Sequence, residues 1–322
     1  MNRFEVAKPV TLAQAKDLVQ EKPWSTYKAG GIDLIDHLKE RLESPPRIVD
    51  LKGIPGLADI KVESDGALRI GALVKLADLA TDERVRKTHT ALAVAVAEAA
   101  SPQVRNVATV GGNLLQRPRC WYYRLEEYQC LKKGGDVCYA VGGENRYHVI
   151  FGGGPSYAVH PSNAAVALVA LNASFVFDGP KGPRTVAASE FFQLPAKSAL
   201  VENSREPAEI LTEIRVPAAQ GRSIYDEVRE RQAFDWPLVS VAASVRLEGG
   251  VVKDARVVLG AVAPIPWRAN RAEAALMGKS LTEAALQDAA RAAIVGAAPL
   301  SDNGYKVGLV QTLVRRTLAQ LA

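Results

Sequence analysis

Apolar residues along this chain follow two periods that alternate in blocks. Thr11 and Gln14 form a capping box ahead of Leu12–Glu21, where the Thr hydroxyl and the Gln amide can satisfy the first free backbone donors of a helix. Ser25–Ala29 reads as a short strand that runs into Gly30-Gly31, after which Leu34, Ile35, Leu38 and Leu42 fall at helical spacing over Ile32–Leu42. Arg47–Leu51 is another strand, set off by Ser44-Pro45-Pro46, which no helix interior accommodates.

From Ile60 the period shortens. Ile60–Glu63 and Ala67–Ile70 flank Ser64-Asp65-Gly66 as a hairpin, and a second lobe begins there. It continues through a buried helix at Leu92–Ala100, an Ala-rich helix at Pro161–Leu171, a hairpin of Ser174–Asp178 with Arg184–Val186, and a closing strand at Ile210–Val216. After a polar connector at Gln220–Ser223, Leu238–Leu247 and Val251–Val262 are extended and joined by Glu248-Gly249-Gly250. Ala272–Met277, Thr282–Gly296 and Gly308–Leu321 then supply helices. The expected organisation is α+β: a first lobe over residues 1–58, a second over 59–217, and a sheet-and-helix domain over 222–322.

Composition narrows the function class. With 322 residues, 48% hydrophobic and 23% charged, the chain has the balance of a folded multi-lobed globule. The net charge of +5 is spread through interleaved acidic and basic residues, which argues against a nucleic-acid partner. Ala91–Ala100 and Ala164–Leu171 are far shorter than the roughly 20 residues that span a bilayer. Met1–Val10 lacks the apolar run of an export signal, so the expected location is cytoplasmic, or periplasmic only by export with a signal-bearing partner.

Two glycine turns carry the chemistry. Lys28-Ala29-Gly30-Gly31-Ile32-Asp33-Leu34 sets two glycines between a strand and a helix, where bare amides can approach a pyrophosphate and the helix amino terminus favours its charge. Paired glycines also occur simply where a chain must turn with positive φ, and for this segment alone the two readings are about even. Thr109-Val110-Gly111-Gly112-Asn113 is a second such pair, and neither is a G-x-G-x-x-G fingerprint. The first turn resembles the A-G-G-T-D-L loop, and Ala108–Asn113 the A-T-I-G-G-N loop, of the FAD-binding subunits of molybdenum hydroxylases, a family that includes xanthine dehydrogenases, carbon monoxide dehydrogenases and aldehyde oxidoreductases. The resemblance extends through Ile70–Leu73, Glu209–Ile214, Phe234–Ser240 and Leu259–Pro266. It implies the vanillyl-alcohol-oxidase (PCMH) type of FAD-binding fold, with FAD held by Lys28, Ala29, Gly30, Gly31, Ile32, Asp33, Leu34, Thr109, Gly111, Gly112, Asn113 and Asn163, and with Leu211 near the isoalloxazine. Against the family pattern, Ile32 replaces a Thr or Ser, Asn163 an Asp, and Glu227 a Lys.

The chain's three cysteines, Cys120, Cys130 and Cys138, all fall in an irregular insert over about residues 114–158. Such clustering favours shared ligation of an iron–sulfur cluster over three inert buried thiols, and the long spacings argue against a structural zinc knuckle, although His148 and His160 could complete one. The insert is similar to that of a subgroup whose FAD subunit carries an extra 4Fe-4S cluster, represented by 4-hydroxybenzoyl-CoA reductase and periplasmic aldehyde oxidoreductases. There the fourth ligand is a Cys aligned with Ser156. The alternatives are a serine or solvent ligand on a 4Fe-4S cluster, a 3Fe-4S cluster, or no cluster.

The resemblance implies an electron-transfer subunit with no catalytic acid, base or nucleophile of its own. Its partners would be a large molybdenum-cofactor subunit, a small 2Fe-2S subunit and an external electron acceptor. The rival expectation is a non-catalytic assembly subunit with a zinc or vestigial cysteine loop.

Overall fold

The computed structural model describes residues 1–322. Its strands form three sheets. In the first lobe, β1 (Glu5–Ala7), β2 (Thr26–Lys28) and β3 (Arg47–Asp50) make a parallel sheet with β3 in the centre. The helix Leu12–Glu21 crosses from β1 to β2 and buries Ala15 and Val19 in a small core with Val49, Leu51 and Ile54. Its capping box forms in altered register: Thr11 Oγ1 accepts from Gln14 N at 3.2 Å, while Gln14 Oε1 accepts from Val10 N, one residue earlier than the motif predicts.

In the second lobe, β4 (Ile60–Val62), β5 (Leu68–Gly71), β6 (Ser174–Gly179), β7 (Gly182–Ala187) and β8 (Ile210–Val216) form an antiparallel sheet in the order β4-β5-β8-β6-β7. Both predicted hairpins are present. The helices Thr90–Glu98 and Asn163–Ala170 are apolar all round because they lie in the middle of this lobe's core.

In the third part, β9 (Arg222–Val228), β10 (Val239–Glu248), β11 (Val251–Gly260) and β12 (Trp267–Arg268) form an antiparallel sheet against the helices Asn270–Leu276, Glu283–Ala293 and Tyr305–Ala319. The strand β9 is absent from the sequence expectation, which has a polar connector at its start. Arg222-Ser223-Ile224-Tyr225-Asp226-Glu227-Val228 lacks a sustained apolar face, since as an edge strand it buries only Tyr225 fully. No helix is long and apolar enough to cross a membrane.

The insert between the second glycine turn and the helix Asn163–Ala170 has little regular structure beyond the short helical turns Trp121–Arg124 and Leu131–Lys133. It is nevertheless anchored. Ile150 and Phe151 enter the core of the third part. Lys306, 1% exposed, donates to the carbonyls of Tyr147 and Ala261. Asn303 donates to those of His148 and Val149. Burial lowers the Lys306 pKa to about 7, and the two carbonyls give its buried nitrogen hydrogen-bond partners.

Candidate functional site: a cleft between two glycine turns

The first glycine turn leads from β2 into the helix Ile32–Lys39 through Gly31, whose φ of 86° is a left-handed conformation that glycine adopts without strain. This helix has no side-chain cap, and its first turn-closing bond runs from Ile35 N to Gly31 O. The amides ahead of Ile35 are thus left for an outside acceptor, with the positive end of the helix behind them.

The second glycine pair differs from the expected turn. Thr109 caps a short helix, Val110–Leu114, and both glycines lie inside it. Thr109 Oγ1 accepts from Gly112 N at 3.1 Å, and Gly111 N donates to Ala72 O at 2.9 Å. Glycine is required here by close packing: a Cβ on Gly111 would lie 2.8 Å from Ala72 O and 2.9 Å from Ala72 Cβ. A Cβ on Gly30 would clash with the backbone carbonyl of Val107. Gly30 therefore lets the first turn rest against the backbone leading into the second, while Gly111 packs on Ala72.

Between them lies a cleft of about 720 Å³, within the usual range for ligand sites. Lys28, Ala29, Gly30, Gly31, Ile32, Asp33, Leu34, Thr109, Gly111, Gly112, Asn113, Asn163 and Leu211 all line it. Lys28 is paired with Asp50 at 2.9 Å, Asn113 accepts from Ser162 Oγ at 2.6 Å, and Asn163 Nδ2 donates to Glu227 Oε2 at 3.0 Å. Ile32, 39% exposed, has no apolar cover of its own. Unspent amides at a helix start, backbone-to-backbone turns and mixed polar and apolar walls suit a dinucleotide such as FAD.

Other lining residues escaped the sequence reading. Glu98–Ser101, Leu200–Asn203 and Phe234–Pro237 border the cleft. Of these, Phe234 (φ 59°) and Trp236 are half-exposed aromatics beside Pro237, and the Arg119 guanidinium lies 5.3 Å from the Trp236 ring centroid. Exposed aromatics in a Pro-flanked loop were the available signal.

Asp33 does more than border the cleft. It accepts from Arg117 N at 2.9 Å and Arg124 Nη2 at 2.8 Å, and pairs with Arg119 Nη2 at 2.9 Å. Burial pushes its carboxyl pKa up, but Arg119 and Arg124 outweigh that and hold it below the usual range. Asp36 adds a bond from Arg124 Nη1 at 2.9 Å. The helix Ile32–Lys39 is thereby tied to the start of the cysteine insert.

The cysteines do not assemble as expected. All three are free thiols, and no group of three or more His, Cys, Asp or Glu side chains is placed to hold a metal ion. Cys120 Sγ instead contacts His148 Nε2 at 3.2 Å. Cys130 is buried in a bridge with Val137, Cys138 is half-buried, and Ser156 is buried. The expected ligand set Cys120, Cys130, Cys138 and Ser156 is not gathered into a metal-holding group, and the Cys120 sulfur meets an imidazole instead. Burial pushes the Cys120 thiol up to about 11, with lesser contributions from the nearby Cys138 and Cys130. His148 is neutral, its pKa lowered to about 4 chiefly by burial.

Comparison with known proteins agrees with the cleft. Residues 2–219 match the FAD binding domain in molybdopterin dehydrogenase, and residues 223–321 the CO dehydrogenase flavoprotein C-terminal domain. The chain is 37% identical over 325 residues to the aldehyde oxidoreductase FAD-binding subunit PaoB of Escherichia coli, covering 100% of this chain and 98% of that one. It is 32% identical over 323 residues to the carbon monoxide dehydrogenase medium chain of Hydrogenophaga pseudoflava, covering 98% and 96%. Among solved structures, carbon monoxide dehydrogenase from the same organism superposes with a TM-score of 0.79 at 30% identity over 99% of this chain and 97% of that one. Quinoline 2-oxidoreductase from Pseudomonas putida 86 superposes with a TM-score of 0.78 at 26% identity, covering 99% and 97%. With both domains matched end to end and the cleft in place, the chain belongs to the family of FAD-binding medium subunits of molybdenum hydroxylase oxidoreductases.

Proposed function

We propose that this chain is the flavin-bearing electron-transfer subunit of a cytoplasmic multi-subunit molybdenum hydroxylase. A large molybdenum-cofactor subunit would oxidise an aldehyde, purine or aromatic substrate, and a small 2Fe-2S subunit would relay the electrons. The observation that carries this reading is the single cleft lined by both glycine turns. FAD, when bound, exchanges electrons singly with iron–sulfur centres and in pairs with an acceptor. The chain's residues would hold and orient it: the free amides ahead of Ile35 would meet its diphosphate beside the close-packed glycines Gly111 and Gly112, and Ile32, Leu211 and Trp236 would give apolar walls. In the anaerobically purified complex we expect one FAD per chain, bleached by the partner's substrate. A flavin-free complex that still turns over would favour the assembly-subunit reading.

A finer reading concerns the insert. We propose that Cys120, Cys130 and Cys138 ligate an iron–sulfur cluster, with Ser156 or solvent at the remaining iron, after Cys120 leaves His148. Support comes from the confinement of all three thiols to one anchored insert and the arginine ties from Asp33 that set the insert beside the cleft. Iron content and electron paramagnetic resonance test it. Iron in the wild type that rises in Ser156→Cys supports the assignment, whereas zinc or no metal in both refutes it.

A further inference from the structure

Two departures from the family pattern, Asn163 and Glu227, prove to be one structural unit. Asn163 Nδ2 donates to Glu227 Oε2 at 3.0 Å, and the Tyr225 hydroxyl donates to the same oxygen at 2.6 Å. Oε1 has no hydrogen-bond donor: Arg229 Nε is 3.1 Å away but off the hydrogen-bonding line. The carboxylate is 3% exposed. It stands directly behind Asn163, which lines the cleft beside Glu98.

An Asp at 163 would set two carboxylates within hydrogen-bond reach. An amide removes that repulsion and also donates, so Asn163 and Glu227 fit each other as the family's Asp and Lys would as an ion pair.

The charged surroundings favour a variable proton. Arg229 is the one cation facing the group, and its other end is engaged by Glu98 Oε2 at 2.6 Å. Asp226 and Glu98 both oppose ionisation, and Asp226 is turned towards Arg316 at 3.0 Å. From the neighbouring strand, Ser240 lies opposite in register and brings no charge. Burial, the largest influence, raises the Glu227 pKa to about 7, with Tyr225 and Arg229 opposing it.

We propose that Glu227 is a positioning residue that holds Asn163 against the flavin and takes up a proton when the flavin is reduced. The inference rests on FAD occupying the cleft with its redox-active ring at the Asn163 end; Asn163 and Leu211 both line that cleft. Two-electron reduction of a bound flavin by an external reductant, with one proton taken from solvent, would leave a net negative charge in the cleft. The added negative charge, felt across the uncharged Asn163, raises the affinity of Glu227 for a second solvent proton. One O–H bond forms on its carboxylate and no bond to the flavin forms or breaks.

The test is a spectroelectrochemical titration of the FAD-loaded chain from pH 6 to 9, with FAD content measured for each protein. Above about pH 7 the oxidised form has Glu227 ionised and the reduced form has it protonated. The potential should therefore fall more steeply by one proton per two electrons, a tenfold change in equilibrium constant or about 30 mV per pH unit. Glu227→Gln should lose this extra slope while keeping its FAD. Tyr225→Phe, which removes a donor that favours the ionised form, should move the steep region to higher pH. A carboxylic-acid band that appears on reduction in the infrared difference spectrum should be absent from Glu227→Gln. Identical slopes in wild type and Glu227→Gln would overturn the proposal, as would loss of FAD from Glu227→Gln with no extra slope in the wild type. A wild-type chain that binds no FAD would instead overturn the underlying reading of the cleft.

Discussion

Replacing Gly111 by Ala tests the cleft where its geometry is tightest. The new Cβ would stand 2.8 Å from Ala72 O, whereas ordinary contact begins at 3.4 Å, so the turn must move by 3.4 − 2.8 = 0.6 Å or Ala72 must give way. Ala72 cannot simply rotate aside, because the obstacle is its backbone and its Cβ. Overpacking of this kind costs about 1–3 kcal/mol. In the free protein the turn can relieve this by shifting into the cleft, and FAD must push it back on binding. If all of that strain falls on binding, the FAD dissociation constant rises roughly 5- to 140-fold, at about 1.4 kcal/mol per decade. Titration of the apoprotein by flavin fluorescence measures this, and urea unfolding without FAD reports any loss of stability separately. Gly142→Ala, where a Cβ meets nothing within 4 Å, is the control. Unchanged FAD affinity in Gly111→Ala would refute the argument that the close packing of Gly111 on Ala72 shapes the FAD site.

Three further outcomes follow from charge and burial. Asp33→Asn removes the anion shared by Arg119 and Arg124 and should destabilise the chain by about 3 kcal/mol in urea, with faster proteolysis near the Arg117–Arg124 segment. His160 is fully buried, with neither ring nitrogen bonded, and burial lowers its pKa to about 4. It therefore stays neutral in the folded state while the unfolded chain protonates below about pH 6.5. Stability should fall as pH drops from about 6.5 to 4, by up to about 3 kcal/mol from this group, and His160→Phe should flatten that part of the profile. Lys306→Met should leave the carbonyls of Tyr147 and Ala261 without their donor and increase hydrogen exchange in the insert around His148.

The parts of the fold that were legible in the sequence are those in which local pattern and burial agree. The hairpin at Ser64-Asp65-Gly66, the apolar helices and the long β10–β11 pair each bury a continuous face, which leaves a period in the sequence. The edge strand β9 buries little, so its alternation is weak and it was missed. The structure brings the thirteen residues expected to hold FAD to one cleft; eleven of them lie around the two glycine pairs, whereas Asn163 and Leu211 were expected only from the family resemblance. What the sequence hid was pairing across domains. Asn163 and Glu227 lie 64 positions apart and look like two independent losses until β9 is set against the helix that starts at Asn163. The contacts of the cysteine insert were hidden for a related reason: the spacing of Cys120, Cys130 and Cys138 says that they are near in sequence, but not that His148 meets the first of them.

The most direct measurement is a structure of the FAD-loaded chain. The account predicts the diphosphate between Gly30–Asp33 and Gly111–Asn113, with the isoalloxazine near Leu211 and Asn163. Flavin bound elsewhere, with both glycine turns empty, would contradict it.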